Sequence, residues 1–148
     1  MGRLLKFWAL SRRERQGLCE AGILLLLSNF CIKTMPWRHI NRFLRAGWKD
    51  AAKSSAVRSE DIKLVRRSIS RAASLLPCKS LCLSQSIAEF IMLRRRGIPA
   101  VMFAGVSYSN NSSLHAHAWV ETALEANDRS FANSIFTTVV RIGQLEPD

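Results

Sequence analysis

The sequence predicts an α+β fold, in which helices come first and a small antiparallel sheet follows. Apolar residues recur with a helical period as far as Gly97, and after Pro99 the pattern changes to short β-rich apolar runs. A polar turn, "SNNSS" at 109–113, separates two of these runs. A chain of 148 residues has the usual length of one domain, so we predict a single domain over 1–148.

The N-terminal part, residues 1–57, is predicted to be a helical hairpin. Ser11 and Glu14 have the spacing of a capping box, so a helix should run from about 12 to 33 and end before Pro36. Pro36 then begins a second, shorter helix that Gly47 ends. The inward face of this second helix is predicted to contain Trp37, Ile40, Phe43 and Leu44.

The remaining residues, 58–148, are predicted to form the core of the domain. After a polar loop at 48–57, Ser59 caps a third helix that stops at Pro77. Its inward side contains Ile62, Val65, Ile69, Ala72 and Leu76, and its other side is basic. A fourth helix runs from Cys82 to Arg96 with Gly97 as its C-terminal cap, followed by strands in "AVMFAGVSY", "LHAHAWVET" and "SIFTTVVRI".

The charge balance limits the classes of partner. With 22 Lys and Arg against 11 Asp and Glu, the formal net charge is +11, which attracts nucleic acid, an anionic membrane surface or an acidic polypeptide. Solvated helix faces are the simplest explanation of the basic groups, and no recognition motif for nucleic acid is present, so we expect no nucleic-acid partner.

The N-terminal half also indicates where the protein is found. No small-residue cleavage site follows the first apolar segment, so the four cysteines are expected in a reducing cytoplasm rather than in disulfides. The apolar run at 21–32 is shorter than the roughly 20 residues of a membrane span. We interpret it as a buried helix with no transmembrane span, the alternative being a membrane-associated or partner-bound helix.

A cysteine and a histidine form the candidate reaction centre. Cys82 begins its predicted helix, where free backbone amides and the positive end of the helix dipole stabilise a thiolate and a developing oxyanion. His115 and His117 project to one face of their strand, so a histidine could pair with the thiolate and later protonate a leaving amine. Asp128 is the best candidate to orient the imidazole and Asn133 the second, whereas Glu121 lies too far along the strand of His117.

Two other interpretations of these residues remain open from spacing alone. Cys78, Cys82, His115 and His117 make a tetrahedral ligand set for zinc, although their spacings differ from those of common zinc fingers. The other interpretation is that these cysteines and histidines are ordinary packed residues without a chemical role, because free cysteines are among the most buried residues. A zinc-stabilised or basic binding module without catalysis is therefore the alternative function.

Longer stretches carry a family resemblance. "CLSQSIAEFIMLRRRGIPAVMFAGV" followed by "HAHAWVE" resembles the leader peptidase of lasso-peptide biosynthesis, a transglutaminase-like, papain-related cysteine protease. "ALSRRERQGLCEAGILLLLSNFCIKTMPWRHI" is similar to the opening helices of that family, so the resemblance spans nearly the whole chain. It implies a papain/transglutaminase-like core and hydrolysis of the bond between leader and core peptides in a lasso precursor.

The resemblance also implies residue roles and partners. Cys82 is the nucleophile because Leu83 follows it, and His117 is the base because Ala118 and Trp119 follow it. Asp128 completes the triad, about one residue out of register with the family pattern. The implied partners are the precursor peptide, a leader-binding recognition protein and an ATP-dependent macrolactam cyclase; no glycine-rich phosphate loop is present, so we expect no cofactor in this chain.

Overall fold

Four helices and a three-stranded antiparallel sheet form the described part of the protein. The structure is a computed structural model that describes residues 10–46, 59–76, 82–108, 114–122 and 136–143. The α+β class predicted from the sequence is confirmed. The predicted loop at 48–57 lies outside the described residues.

The first two helices are α1, Arg12–Thr34, and α2, Trp37–Ala46. The predicted capping box is confirmed, because the Glu14 amide donates to Ser11 Oγ over 3.3 Å and the Ser11 amide donates to Glu14 Oε2 over 3.0 Å. Helix α2 begins one residue later than predicted, after Pro36.

The predicted inward face of α2 is correct except at one position. Ile40 and Leu44 are buried and Trp37 packs against the core, but Phe43 is 64% exposed. Phe43 is three residues after Ile40 and one before Leu44, so it lies at the margin of the buried face, and α2 is too short for the core to enclose both margins.

The other two helices are α3, Ser59–Leu75, and α4, Cys82–Arg95. Ile62, Val65, Ile69 and Ala72 of α3 are buried, as predicted. Helix α4 lies at the centre of the molecule, where it packs against α1, α3 and the sheet. Its largest apolar side chains are fully enclosed: Phe90, Met92 and Leu93.

The end of α4 has the geometry predicted from Gly97. This glycine has φ 71°, a left-handed conformation that an L side chain rarely adopts. The amide of Ile98 donates to the Leu93 carbonyl and the amide of Gly97 donates to the Arg94 carbonyl, each over 3.0 Å. These two bonds form a Schellman motif, which stops the helix and turns the chain into the sheet.

The sheet has the strand order β2-β1-β3, with β1 Ala100–Tyr108, β2 Leu114–Thr122 and β3 Thr137–Ile142. Met102 lies opposite both Val120 and Ile142, and all three side chains join the helical core. Strand residues alternate between faces, so Phe103 and its partner Trp119 lie on the opposite face of the sheet. Among the described strands, β2 lies at the edge of the sheet and pairs only with β1.

Ion pairs fix the far end of α4. Glu20 of α1 contacts Arg95 Nη1 over 3.1 Å and Arg96 Nη2 over 2.6 Å, and its side chain is only 20% exposed. Helix α1 therefore holds the C-terminal end of the helix whose first residue is Cys82.

Candidate active site

An open pocket of about 300 Å³ lies where α3, α4 and β2 meet. Cys82 and His117, the two residues that the sequence predicted as nucleophile and base, both line this pocket. The structure thus brings together side chains that are separated in the chain by helix α4 and strand β1. The other lining residues are Arg66, Ile69, Ser70, Gln85, Ser86, Glu89, Ala118, Trp119 and Val120.

Cys82 is the first residue of α4 and is partly buried, with a free thiol. At that position it is next to the unpaired amides of the first helical turn, which carry the positive end of the helix dipole. Backbone amides at a helix start can donate hydrogen bonds to an oxyanion formed beside Cys82. The helix start that the sequence predicted is therefore the one found.

His117 lies on the edge strand with its side chain exposed. Its ring is stacked on Trp119, with the centroids 6.1 Å apart and the planes at 13°, and it lies 5.4 Å from the ring of Phe136. These rings belong to the sheet face that points away from the helices, and the edge position of β2 brings His117 to the rim of the pocket. Aromatic contacts thus hold the imidazole from the side of the sheet.

The two candidate catalytic side chains share a cavity without a bond between them. No hydrogen bond joins Cys82 to His117 in the part of the chain that the structure describes. Catalytic hydrogen bonds are often long in a substrate-free enzyme and tighten in the complex with substrate.

Gly105 creates space for the aromatic group behind His117. It lies opposite His117 in the register of β1 and β2. A Cβ at this position would lie 2.8 Å from the Thr137 carbonyl oxygen and 3.2 Å from both Phe136 Cβ and Trp119 Cη2. Without a side chain at Gly105, Trp119 and the start of β3 can come this close to β1, and Trp119 and Phe136 are the two rings that contact His117.

Trp119 is fixed by a second contact as well. Its Nε1 donates to Glu121 Oε1 over 3.0 Å, and its ring stacks on Phe103 with the centroids 5.5 Å apart. Glu121 thus orients Trp119, and Trp119 in turn supports His117. The sequence had excluded Glu121 as a direct partner of the imidazole, and this indirect contact was not predicted.

Arg66 connects the three elements that form the pocket. From α3, its Nε contacts Glu89 Oε1 of α4 over 2.8 Å, and its Nη2 donates to the Val120 carbonyl of β2 over 3.4 Å. The Glu89 side chain is 17% exposed and that of Arg66 is 40% exposed. Glu89 follows Cys82 by two helical turns, so the ion pair holds the cysteine helix beside the histidine strand.

Arg66 and the polar face of α4 were not predicted as parts of the site. The sequence predicted only that the outer side of the third helix is basic, whereas Arg66 of that helix lies against Glu89. Gln85, Ser86 and Glu89 follow Cys82 by three, four and seven residues, the spacing of one helix face. A polar face of this kind within an otherwise apolar helix is visible in the sequence, and it could have identified these residues as part of the pocket.

The remaining predicted site residues lie outside the described part of the chain. These residues are Asp128, the expected third member of the triad, Asn133, its alternative, and Cys78. Among the described residues, no three His, Cys, Asp or Glu side chains are grouped closely enough to hold a metal ion. The zinc set needs Cys78 and stays an alternative interpretation.

A helix that begins with a cysteine packs on an antiparallel sheet, and a histidine of that sheet lines the same pocket, so a thiol and an imidazole share one cavity in an α+β fold. The family model for the transglutaminase-like superfamily matches residues 28–140. The chain therefore belongs to the transglutaminase-like superfamily, which includes cysteine proteases. The search of curated proteins found no match, and neither did the search of solved structures.

Proposed function

We propose that the protein is a cysteine peptidase that removes the leader peptide from a lasso-peptide precursor. The observation that carries the proposal is the shared pocket of Cys82 and His117 in a chain of the transglutaminase-like superfamily. The resemblance of the cysteine helix and the "HAHAWVE" strand to lasso leader peptidases supports the choice of substrate.

The proposed reaction is hydrolysis through an acyl-enzyme. His117 accepts the Cys82 proton, the thiolate sulfur bonds to the carbonyl carbon at the leader–core junction, and the carbonyl electrons move to the oxygen. When the C–N bond breaks, His117 gives its proton to the leaving amine. Water then attacks the thioester, loses a proton to His117 and displaces the thiol, which releases the leader with a free carboxylate.

The third group of the proposed triad is Asp128. A carboxylate that accepts the second N–H of the His117 ring would select the tautomer that can take the Cys82 proton, and it would stabilise the imidazolium. The stack on Trp119 and Phe136 limits the tilt of the same ring. The Cys82 backbone amide is the proposed oxyanion donor, because it belongs to the first turn of α4.

The proposed partners are the precursor peptide, a leader-binding recognition protein and an ATP-dependent macrolactam cyclase. The exposed side of α3 offers Arg67 and Arg71 for an acidic surface of the substrate or of the recognition protein. Arg66, Arg95 and Arg96 form ion pairs of 2.6–3.1 Å within the chain, closer than the 3.9 Å pair of Arg71 with Glu14, so they are less suited to this role. Charge reversal at Arg67 and Arg71 should raise the substrate concentration needed for half-maximal processing.

The test is cleavage of a precursor peptide encoded beside the gene for this chain, with the recognition protein present. Cys82→Ala and His117→Ala should each abolish formation of the leader fragment, as seen by mass spectrometry, whereas Cys78→Ala should keep most of the rate. The Cys78 variant is the matched control, since it removes a thiol four residues away. Circular dichroism of all three variants checks that they remain folded.

Two results would contradict the proposal. Loss of cleavage in Cys78→Ala equal to that in Cys82→Ala would point to a metal site or to another nucleophile, and stoichiometric zinc in the purified protein would identify the former. A product in which the leader carboxyl is joined to an amine, detected by its mass, would identify acyl transfer in place of hydrolysis.

A further inference from the structure

The outward face of α1 has a continuous apolar surface that no described element covers. The exposed fractions are 60% for Ile23, 50% for Leu26, 54% for Leu27 and 65% for Phe30. These residues are three or four positions apart, so they lie side by side on the helix, opposite the buried Ala21 and Leu25. We call Ile23, Leu26, Leu27 and Phe30 the α1 stripe.

The α1 stripe is uncharged along its length and basic at both ends. From Gln16 to Ile32 the single charged residue is Glu20, which is engaged with Arg95 and Arg96. Arg12 and Arg13 are exposed at the start of α1, and Lys33 is exposed at its end. Long basic side chains at the ends of an apolar surface can extend to phosphate groups while the apolar part is buried.

Most of the stripe precedes the part of the chain that defines the superfamily. The family model begins at residue 28, so Ile23, Leu26 and Leu27 lie before the matched region. The pocket of Cys82 and His117 contains no residue of α1. The exposed apolar surface is therefore separate from the candidate active site.

Helix α1 resembles a membrane helix in composition but not in its packing. Among the described residues, α1 is long and apolar enough to cross a membrane by length and composition. Only 28% of its most apolar 18-residue stretch is buried in the protein. Ala21 and Leu25 are fully buried in the core. A helix that gives one face to the core and the other to its surroundings is suited to lie in the plane of a membrane interface.

The net charge distinguishes between possible occupants of this surface. At +11, two copies of the chain repel each other, whereas an anionic lipid surface attracts it. We propose that the α1 stripe docks the protein on an anionic membrane, with Ile23, Leu27 and Phe30 among the acyl chains. Arg12, Arg13 and Lys33 then contact the lipid phosphates at either end of the helix.

The test is sedimentation of the full chain with extruded vesicles of phosphatidylcholine alone or with three parts in ten of phosphatidylglycerol. The protein should partition at least tenfold more strongly onto the anionic vesicles, and added salt should weaken this binding. In the double variant Ile23→Gln/Leu27→Gln, the partition coefficient onto anionic vesicles should fall by about tenfold or more, because two apolar side chains no longer enter the acyl region. Arg12→Gln/Lys33→Gln should reduce binding to the anionic vesicles and leave the neutral ones unaffected.

Val139→Gln supplies the matched control, because Val139 is 66% exposed on β3 and outside the α1 stripe. It should bind vesicles as the unchanged protein does, and an unchanged circular dichroism spectrum shows that each variant is folded. The proposal is overturned if the stripe variant and the control bind anionic vesicles equally, or if no vesicle binds the protein. It is also overturned if the stripe variant converts a dimer to a monomer without a change in vesicle binding.

Discussion

The guanidinium of Arg66 and the carboxylate of Glu89 are joined over 2.8 Å on the wall of the pocket. Because Arg66 also donates to the Val120 carbonyl, this single side chain links α3, α4 and β2. The pair is partly screened by water, so its value for stability is modest, but it lies where small displacements would change the approach of His117 to Cys82.

Arg66→Gln should lower the free energy of unfolding by about 1 kcal/mol, since it removes a charged hydrogen bond and leaves Glu89 without its cation. A double-mutant cycle with Glu89→Gln, measured by thermal unfolding, should show that the two effects are not additive. Arg67→Gln is the control on the same helix, because in the described part of the chain Arg67 forms no ion pair and donates to the Lys63 carbonyl of its own helix. Additive effects within the cycle would show that the pair does not act as a unit.

Gly105→Ala and Gly22→Ala should have opposite effects on stability. A Cβ at Gly105 would meet the Thr137 carbonyl at 2.8 Å, so β1 and β3 must separate at a cost of about 1–3 kcal/mol. Gly22 lies within α1 with no atom within 4 Å of an added Cβ, and alanine there should stabilise the helix by about 0.5–1 kcal/mol. Chemical denaturation measures the free energy of unfolding of each variant. Equal changes in the two variants would refute the role assigned to Gly105.

Asp128→Asn tests the third member of the proposed triad. The amide keeps the shape of the carboxylate but cannot stabilise the imidazolium, so kcat for leader cleavage should fall by on the order of 10²–10⁴ with little change in KM. Asn133→Ala is the comparison, and it should keep most of the activity. The reverse order of the two effects would assign the orienting role to Asn133.

The capping box of α1 gives a prediction for acid pH. The Ser11 backbone and side-chain hydrogen bonds lower the pKa of Glu14 below its ordinary value of 4.5, with smaller contributions from Arg71 and Arg67. The folded protein thus favours the charged form, and the resulting stability is present above pH 4.5 and is lost as the pH falls through the folded pKa. Glu14→Gln should lower the melting temperature at pH 7, and the difference should shrink at acid pH.

Ser11→Ala provides a check on the same cap that does not alter a charge. It should cost about 1 kcal/mol, because the Glu14 amide loses its acceptor. At the size of this chain, that cost lowers the melting temperature by about 3–4 °C. A melting temperature equal to that of the unchanged protein would show that the box seen at Ser11 contributes nothing to α1.

Local signals in the sequence were sufficient for the elements and for two residues, Cys82 and His117, that line the pocket. The Ser11 cap, Pro36 and Gly97 each act through neighbouring backbone atoms, so they predicted helix boundaries to within about a residue. Cys82 was identified because a helix start is itself a local feature. The bridge from Arg66 to Glu89 and Val120 depends on residues far apart in the chain, which no local pattern encodes.

The face of β2 that carries His117 was predicted, but its surroundings were not. Strand alternation placed His117 and Trp119 together, and their rings are stacked. The approach of Phe136 depends on β3 pairing with β1 instead of β2, and on the missing side chain at Gly105. Phe43 was assigned to the core because its helix period fits, and its exposure reflects how little of α2 the rest of the chain can cover.

Because β2 lies at the edge of the described sheet, Cys82 and His117 differ in how much folding energy a change in their position would cost. Cys82 starts the most enclosed helix of the fold, so a change in its position would disturb the core. His117 belongs to a strand that has a neighbour on one side only within the described sheet, and its side chain is exposed. Natural variation in substrate preference should therefore accumulate along the histidine strand, where a shift costs little folding energy, while the cysteine helix stays constant.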